Sequence, residues 1–156
     1  MLRARIKEKL KFNGLIKADF SAEICAPSAI LQSSDEWNNR LKNLDAGFSE
    51  TLLRLIDRTG KKDSEIYKKA NVDRKLFSKI RNNMDYNLSK TTALAFAFAL
   101  ELDIDETRDF IARAGFALSH SSKFDVIVEY FLVSKNYDIY ELNEVLFAFD
   151  QPLLGA

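Results

Sequence analysis

The stretch that decides how this chain folds is residues 60–83, GKKDSEIYKKANVDRKLFSKIRNN. Gly60 suits the end of a preceding helix, because a residue without a Cβ takes up left-handed backbone at little cost. Two short helical runs follow, DSEIYKKANV and DRKLFSKIRNN. Asp63 or Ser64 is expected to cap the first and Asp73 the second, since a short side-chain oxygen can accept from the free N–H groups of a first turn. Asn71 tolerates left-handed backbone and is expected to turn the chain between them. Phe77 and Ile80, three residues apart, share one face of the second helix and point it inward, which leaves Arg74, Lys75, Ser78 and Lys79 on the outside.

The flanking sequence extends this helical pattern. Upstream, Phe48, Leu52, Leu55 and Ile56 form an apolar stripe at helical spacing, with Ser49 as its expected cap and Gly60 as its stop. Downstream, residues 82–88 are turn-like, Ser89 is expected to cap the very apolar TTALAFAFALEL, and Asp105 to cap ETRDFIARAG, which stops at Gly115. Ser121 or Ser122 is expected to cap FDVIVEYFLV. That run is β-branched and aromatic enough for a strand, but Phe124, Ile127, Val128 and Phe131 share a helical face, so a helix is expected. Asp138 is expected to cap a last helix that turns Ile139, Leu142, Val145, Leu146 and Phe149 inward. Of the apolar residues Phe147, Phe149, Leu153 and Leu154, core filling is the favoured role and contact with a dimer partner the other. The first third is less patterned. Leu2, Ile6, Leu10 and Leu15 make a rough stripe, residues 21–35 read as a linker, and Ser34 or Asp35 could cap a short helix from Glu36 to Leu44. The fold class is therefore all-α.

Composition agrees. The 156 residues are 47% hydrophobic and 29% charged, with five Gly and two Pro, which fits a packed helical domain and excludes a disordered or loop-rich chain. No apolar run is long enough for a membrane span, and MLRARIKEKLKF leads into no apolar segment of a secretory signal. The single cysteine, Cys25, rules out an internal disulfide, so the reducing cytoplasm is the expected compartment. The net charge of zero hides a polarity. Residues 61–90 hold nine basic and four acidic residues, whereas 91–156 hold four basic and eleven acidic. A local basic block on a neutral chain is what a surface facing a polyanion shows; a solvated pair of helices shows it too.

Residues 52–115 resemble the XRE-type helix-turn-helix family, the lambda-repressor-like fold. Gly60 matches the family's glycine before the second helix, Ile66 and Ala70 its buried positions, Asn71 the turn glycine and Val72 the buried residue after it. Asp73 matches the cap of the recognition helix, Phe77 and Ile80 its core face, and SKTTALAFAFALELDIDETRDFIARAG the closing helix pair. The resemblance implies a five-helix domain over 48–115, with an N-terminal extension, 1–47, and a C-terminal helical tail, 116–156. It also implies a DNA-binding transcriptional regulator of bacterial or phage type, acting as a homodimer on double-stranded DNA, with residues 73–82 in the major groove. Arg74, Lys75, Leu76, Ser78, Lys79 and Asn82 are then expected to be the DNA-binding residues, with Lys79 neutralising a phosphate and Leu76 either touching a thymine methyl or, the favoured role, packing; Lys61, Lys62, Lys68, Arg81 and Lys90 are expected at phosphates. Three positions depart from the family pattern. Asp63 stands where a Gln often contacts phosphate, Tyr67 where a small residue allows a tight helix crossing, and Arg81 where a Glu is common. The tail, FALSHSSKFDVIVEYF with ELNEVLFAFDQPLLG, resembles one that accompanies this motif in bacterial proteins, sometimes joined to macro domains. The alternative function is a non-catalytic protein-interaction adaptor, for example in a bacterial or phage defence system, with a protein partner held by 116–156.

No enzyme, cofactor or metal is expected. His120 in SHSS lies among serines and acids but with no specific nucleophile–base–acid spacing, and Cys25 with His120 is no better supported. One histidine and one cysteine do not make a zinc site, and no glycine-rich phosphate loop is present.

Overall fold

A computed structural model describes residues 37–42 and 44–155. The chain divides into two units, residues 1–44 and 45–156. In the first, residues 37–42 are helical, and Leu44, expected to close that helix, lies outside it. The expected stripe over 1–20, the linker over 21–35 and the capping by Ser34 or Asp35 lie outside the described residues.

The second unit is built from α1 (Phe48–Thr59), α2 (Asp63–Lys69), α3 (Arg74–Asn82), α4 (Lys90–Ala99), α5 (Ile104–Ala112), α6 (Lys123–Val133) and α7 (Ile139–Ala148). No strand occurs among the described residues, and none of their helices is long and apolar enough to cross a membrane. FDVIVEYFLV is helical, as its shared face predicts, because neighbouring helices supply the burial that its β-branched residues need. α4 is the axis of the unit: every residue from Ala93 to Ala99 is buried, so the helix is apolar all round and must be wrapped on all sides. α2, α5 and α7 pack against it; α1 rests on α3 and α5, and α6 joins α5 to α7. One hydrophobic core thus runs from Phe48 to Leu154, through Phe96, Phe98, Phe110, Leu132 and Leu146, with no break at residue 115.

Ser89, Ser122 and Asp138 cap α4, α6 and α7 as expected, each accepting from backbone N–H groups of the first turn. Four expected caps differ. α1 starts after Gly47, and Ser49 is buried inside the helix, its hydroxyl pointing to the Asn83 carbonyl at 3.5 Å. Lys62, not Asp63 or Ser64, precedes α2 without a side-chain cap, because Asp63 is drawn into an ion pair with Arg81. Asp73 holds the cap position of α3 but makes no capping bond. Asp103, not Asp105, caps α5 through a reciprocal box with Glu106; that box satisfies two N–H groups where Asp105 could satisfy one.

Five of the seven helices of this unit end in one geometry. Asn71 has φ +54°, donates to Lys68 O at 3.0 Å, and is followed by Val72 donating to Tyr67 O at 2.8 Å. The same paired closure recurs at Glu101, Gly115, Lys135 and Asp150. After Asp150 the chain runs back along α7. Leu154 is fully buried, and Asn143 clamps its backbone in both directions, accepting from Leu154 N at 2.8 Å and donating to Leu154 O at 3.1 Å. Gly155 then lies so close to α2 that a Cβ there would fall 2.2 Å from the Ala70 carbonyl oxygen. Of the four apolar residues favoured as core fillers, Leu154 alone is buried; Phe147, Phe149 and Leu153 are exposed. The inward place expected for Phe149 is lost because α7 ends one residue earlier and the left-handed turn at Asp150 directs the chain away.

Candidate nucleic-acid interface

α3 is amphipathic in the simplest way. Phe77 and Ile80 are buried, and at 100° per residue the opposite side carries Lys75, Ser78, Lys79 and Asn82, all exposed. Asn82 Nδ2 donates to Ser78 Oγ at 3.3 Å, one turn back along this crest. Arg74 lies on the flank facing α2, and Leu76 on the opposite flank, half-buried and packed on the core. The structure therefore brings five of the six expected DNA-binding residues onto exposed positions of one helix and packs Leu76 partly on the core, its favoured role.

Between α2 and α3 runs a shallow cleft of about 600 Å³, lined by Lys61, Lys62, Arg74 and Arg81 together with Ser64, Tyr67 and Ser78. Ser64 and Tyr67 were not legible as site residues, because only the packing of the two helices shows which α2 residues border the cleft. Tyr67 also explains how α2 and α3 cross with a large residue between them: its ring lies against Phe77 with centroids 5.5 Å apart, so the bulk fills the crossing. Two departures from the family pattern, Asp63 and Arg81, prove to be partners in one ion pair across the cleft. Asp63 is thereby neutralised, and Arg81 is not a free cation. Both side chains remain partly exposed, so the pair contributes little to stability.

The other expected phosphate contacts divide. Lys61 and Lys62 are exposed at the cleft mouth; Lys68 is exposed on the far side of α2, beside Asn71, Asp73 and Leu76. Lys90 is not free. Its Nζ donates to Asp125 Oδ2 at 2.7 Å and lies 2.6 Å from Oδ1, which takes no hydrogen bond of its own. Lys69, also basic, is committed to Glu101, and its donated hydrogen bond and charge hold the Glu101 carboxyl below the usual range.

Outside this surface, His120 Nε2 lies 2.9 Å from Glu129 Oε2, and the other Glu129 oxygen accepts from Arg108 at 2.8 Å. Among the described residues no serine hydroxyl bonds the His120 ring, and no group of three or more His, Cys, Asp or Glu is placed to hold a metal ion. Cys25 lies outside the described residues. No family model, no curated protein and no solved structure matches the chain.

Proposed function

We propose that this chain is a DNA-binding transcriptional regulator of the XRE helix-turn-helix type, a lambda-repressor-like domain that inserts α3 into the major groove and acts as a homodimer in the cytoplasm. One observation carries the reading: Lys75, Ser78, Lys79 and Asn82 stand exposed along α3 opposite buried Phe77 and Ile80, flanked by Arg74 and a basic cleft. A helix that buries one face and offers an uncovered basic one can enter a groove about 12 Å wide. Arg74 can pair in a bidentate fashion with a guanine, Ser78 and Asn82 can hydrogen-bond base edges, and Lys61, Lys62 and Lys79 can neutralise phosphates.

The test is selection from random duplex DNA, followed by mobility shift of the selected site at two salt concentrations. Arg74→Ala and Lys75→Ala each weaken the selected site by about 1–3 kcal/mol and relax its sequence at one position. Lys79→Ala weakens all duplexes alike and lowers the slope of log affinity against log salt by about one. Unchanged retention by all three variants refutes the reading. The second reading, a non-catalytic adaptor, is favoured by the exposed apolar residues of the 116–156 tail, and it predicts no salt-dependent DNA binding at all.

A further inference from the structure

The outer side of α6 carries an apolar stripe that the fold leaves uncovered. Val126, Tyr130 and Val133 are 46, 71 and 63% exposed, and their i, i+4, i+7 spacing puts them on one face. Phe149, 56% exposed, extends the stripe, because it and Val126 line one shallow depression with Ile127 and Lys123. We infer that this α6 face is where two copies of the chain associate, in an antiparallel two-fold pairing centred on Tyr130.

Charge selects the occupant. In a two-fold contact every group near the axis meets its own copy, so a self-docking face must be free of charge at its centre. α6 meets that condition: its central residue is Tyr130, and the nearby carboxylate, Glu129, is already held by Arg108 and His120. α7 does not. Tyr140 and Phe147 are also exposed there, but Glu144 stands between them and Glu141 beside them, so self-pairing would set Glu144 against Glu144. In a tail with six acids and two basic residues, α6 is thus the apolar face with no charge at its centre; its exposed Lys123 lies at one end of the stripe, where antiparallel pairing keeps the lysines of the two copies apart. Antiparallel pairing about Tyr130 also places Val126 against Val133 of the partner subunit and opposes the two helix dipoles.

The area sets the strength. With large side chains offering on the order of 150–200 Å² each, the four residues leave roughly 450 Å² per copy, or about 900 Å² in the pair. That lies below the roughly 1,200 Å² of a stable complex, so the dimer forms and dissociates with concentration in the micromolar range. The inference rests on the homodimer part of the reading above and adds the face that pairs; its test uses no DNA, so groove binding by α3 and pairing through α6 can fail separately.

Sedimentation equilibrium of the full chain from about 1 to about 200 µM is the experiment. The expected result is a reversible dimer whose dissociation constant rises at least tenfold in Tyr130→Glu and in Val133→Lys. Both positions are exposed, so far-UV circular dichroism stays unchanged. Glu144→Lys leaves the constant as it was. A chain that is monomeric throughout, or a dimer that neither α6 variant weakens, overturns the proposal.

Discussion

Replacing Lys90 by methionine should lower the folding stability of this chain by about 3 kcal/mol. The figure follows from what the lysine faces. Asp125 is 2% exposed at its side chain and accepts from Lys90 Nζ at 2.7 Å and from the Ser119 N–H at 2.8 Å. One carboxylate therefore ties the start of α4, the 116–122 connection and α6 together. With the ammonium gone, a buried charge keeps a single neutral donor, a situation that costs about 3–5 kcal/mol. The lower end applies, because Lys90 itself is 26% exposed and water can reach the vacated place. Asp125→Leu costs a similar amount, by orphaning the Ser119 N–H and leaving the ammonium half-buried. The double variant carries no buried charge and should cost about 2 kcal/mol, most of it from the orphaned N–H. It should therefore be more stable than Lys90→Met alone. Urea unfolding followed by far-UV circular dichroism measures this. With a slope of about 1.5 kcal/mol per molar urea, Lys90→Met moves the midpoint down by about 2 M. A shift under about 0.7 M, or a double variant less stable than Lys90→Met, would show that Asp125 does not depend on Lys90.

Three further outcomes follow from the geometry. Gly155→Ala puts a methyl 2.2 Å from the Ala70 carbonyl oxygen at a residue with φ +71°, so it should detach the C-terminal strap, cost about 1–2 kcal/mol in urea and open the 149–155 segment to limited proteolysis. Glu101 has a folded-state pKa lowered below 4.5, first by the hydrogen bond from Lys69 and then by its charge; the stability it contributes is present above that value and lost as pH falls through the lowered one. Glu101→Gln should accordingly flatten the acid limb of the urea midpoint below about pH 4.5, by well under 1 kcal/mol because the pair is exposed. Asp63→Ala frees Arg81 in the basic cleft and removes the acid there, so duplex retention should rise several-fold at low salt and gain about one unit of salt slope, which mobility shift at two salts reads directly.

The sequence made some features legible and hid others for identifiable reasons. Helix starts marked by a serine or aspartate before an apolar run read correctly at Ser89, Ser122 and Asp138, because a cap is a local interaction that two or three residues specify. It failed at Asp105, where a second acid two residues earlier had the better partner in Glu106, and at Ser49, where burial against the 83–84 turn overrode the local rule. Helix ends were half legible. Asn71 and Gly115 announce left-handed backbone, and Asp150 has a weaker leaning toward it, but Glu101 and Lys135 adopt it without any propensity for it, each held by the paired hydrogen bonds of the closing turn. The buried and outward faces of α3 were legible from Phe77 and Ile80. The pairing of Asp63 with Arg81 and of Lys90 with Asp125 was not, because both link residues far apart in sequence whose meeting depends on how helices cross.

Those pairings sharpen the charge argument that net composition blurs. In the 45–156 unit, Arg54, Arg58, Lys69, Arg81, Lys90, Arg108 and Arg113 each have a carboxylate within 4.0 Å. The basic residues outside these ion pairs are Lys61, Lys62, Lys68, Arg74, Lys75, Lys79, Lys123 and Lys135, and the first six sit on or beside two adjacent helices. A solvated helix pair would gain from having its cations answered by acids, as happens elsewhere in this unit. Leaving six without a carboxylate in ion-pair contact in one place costs self-repulsion, which a polyanion laid across α2 and α3 would relieve by releasing its own counterions. The cost should therefore be visible without DNA. Added salt should raise the midpoint of thermal unfolding, and Lys75→Gln with Lys79→Gln should remove part of that rise while abolishing duplex retention. A salt response that those two substitutions leave intact would place the strain elsewhere and take away the energetic reason for a groove-binding α3.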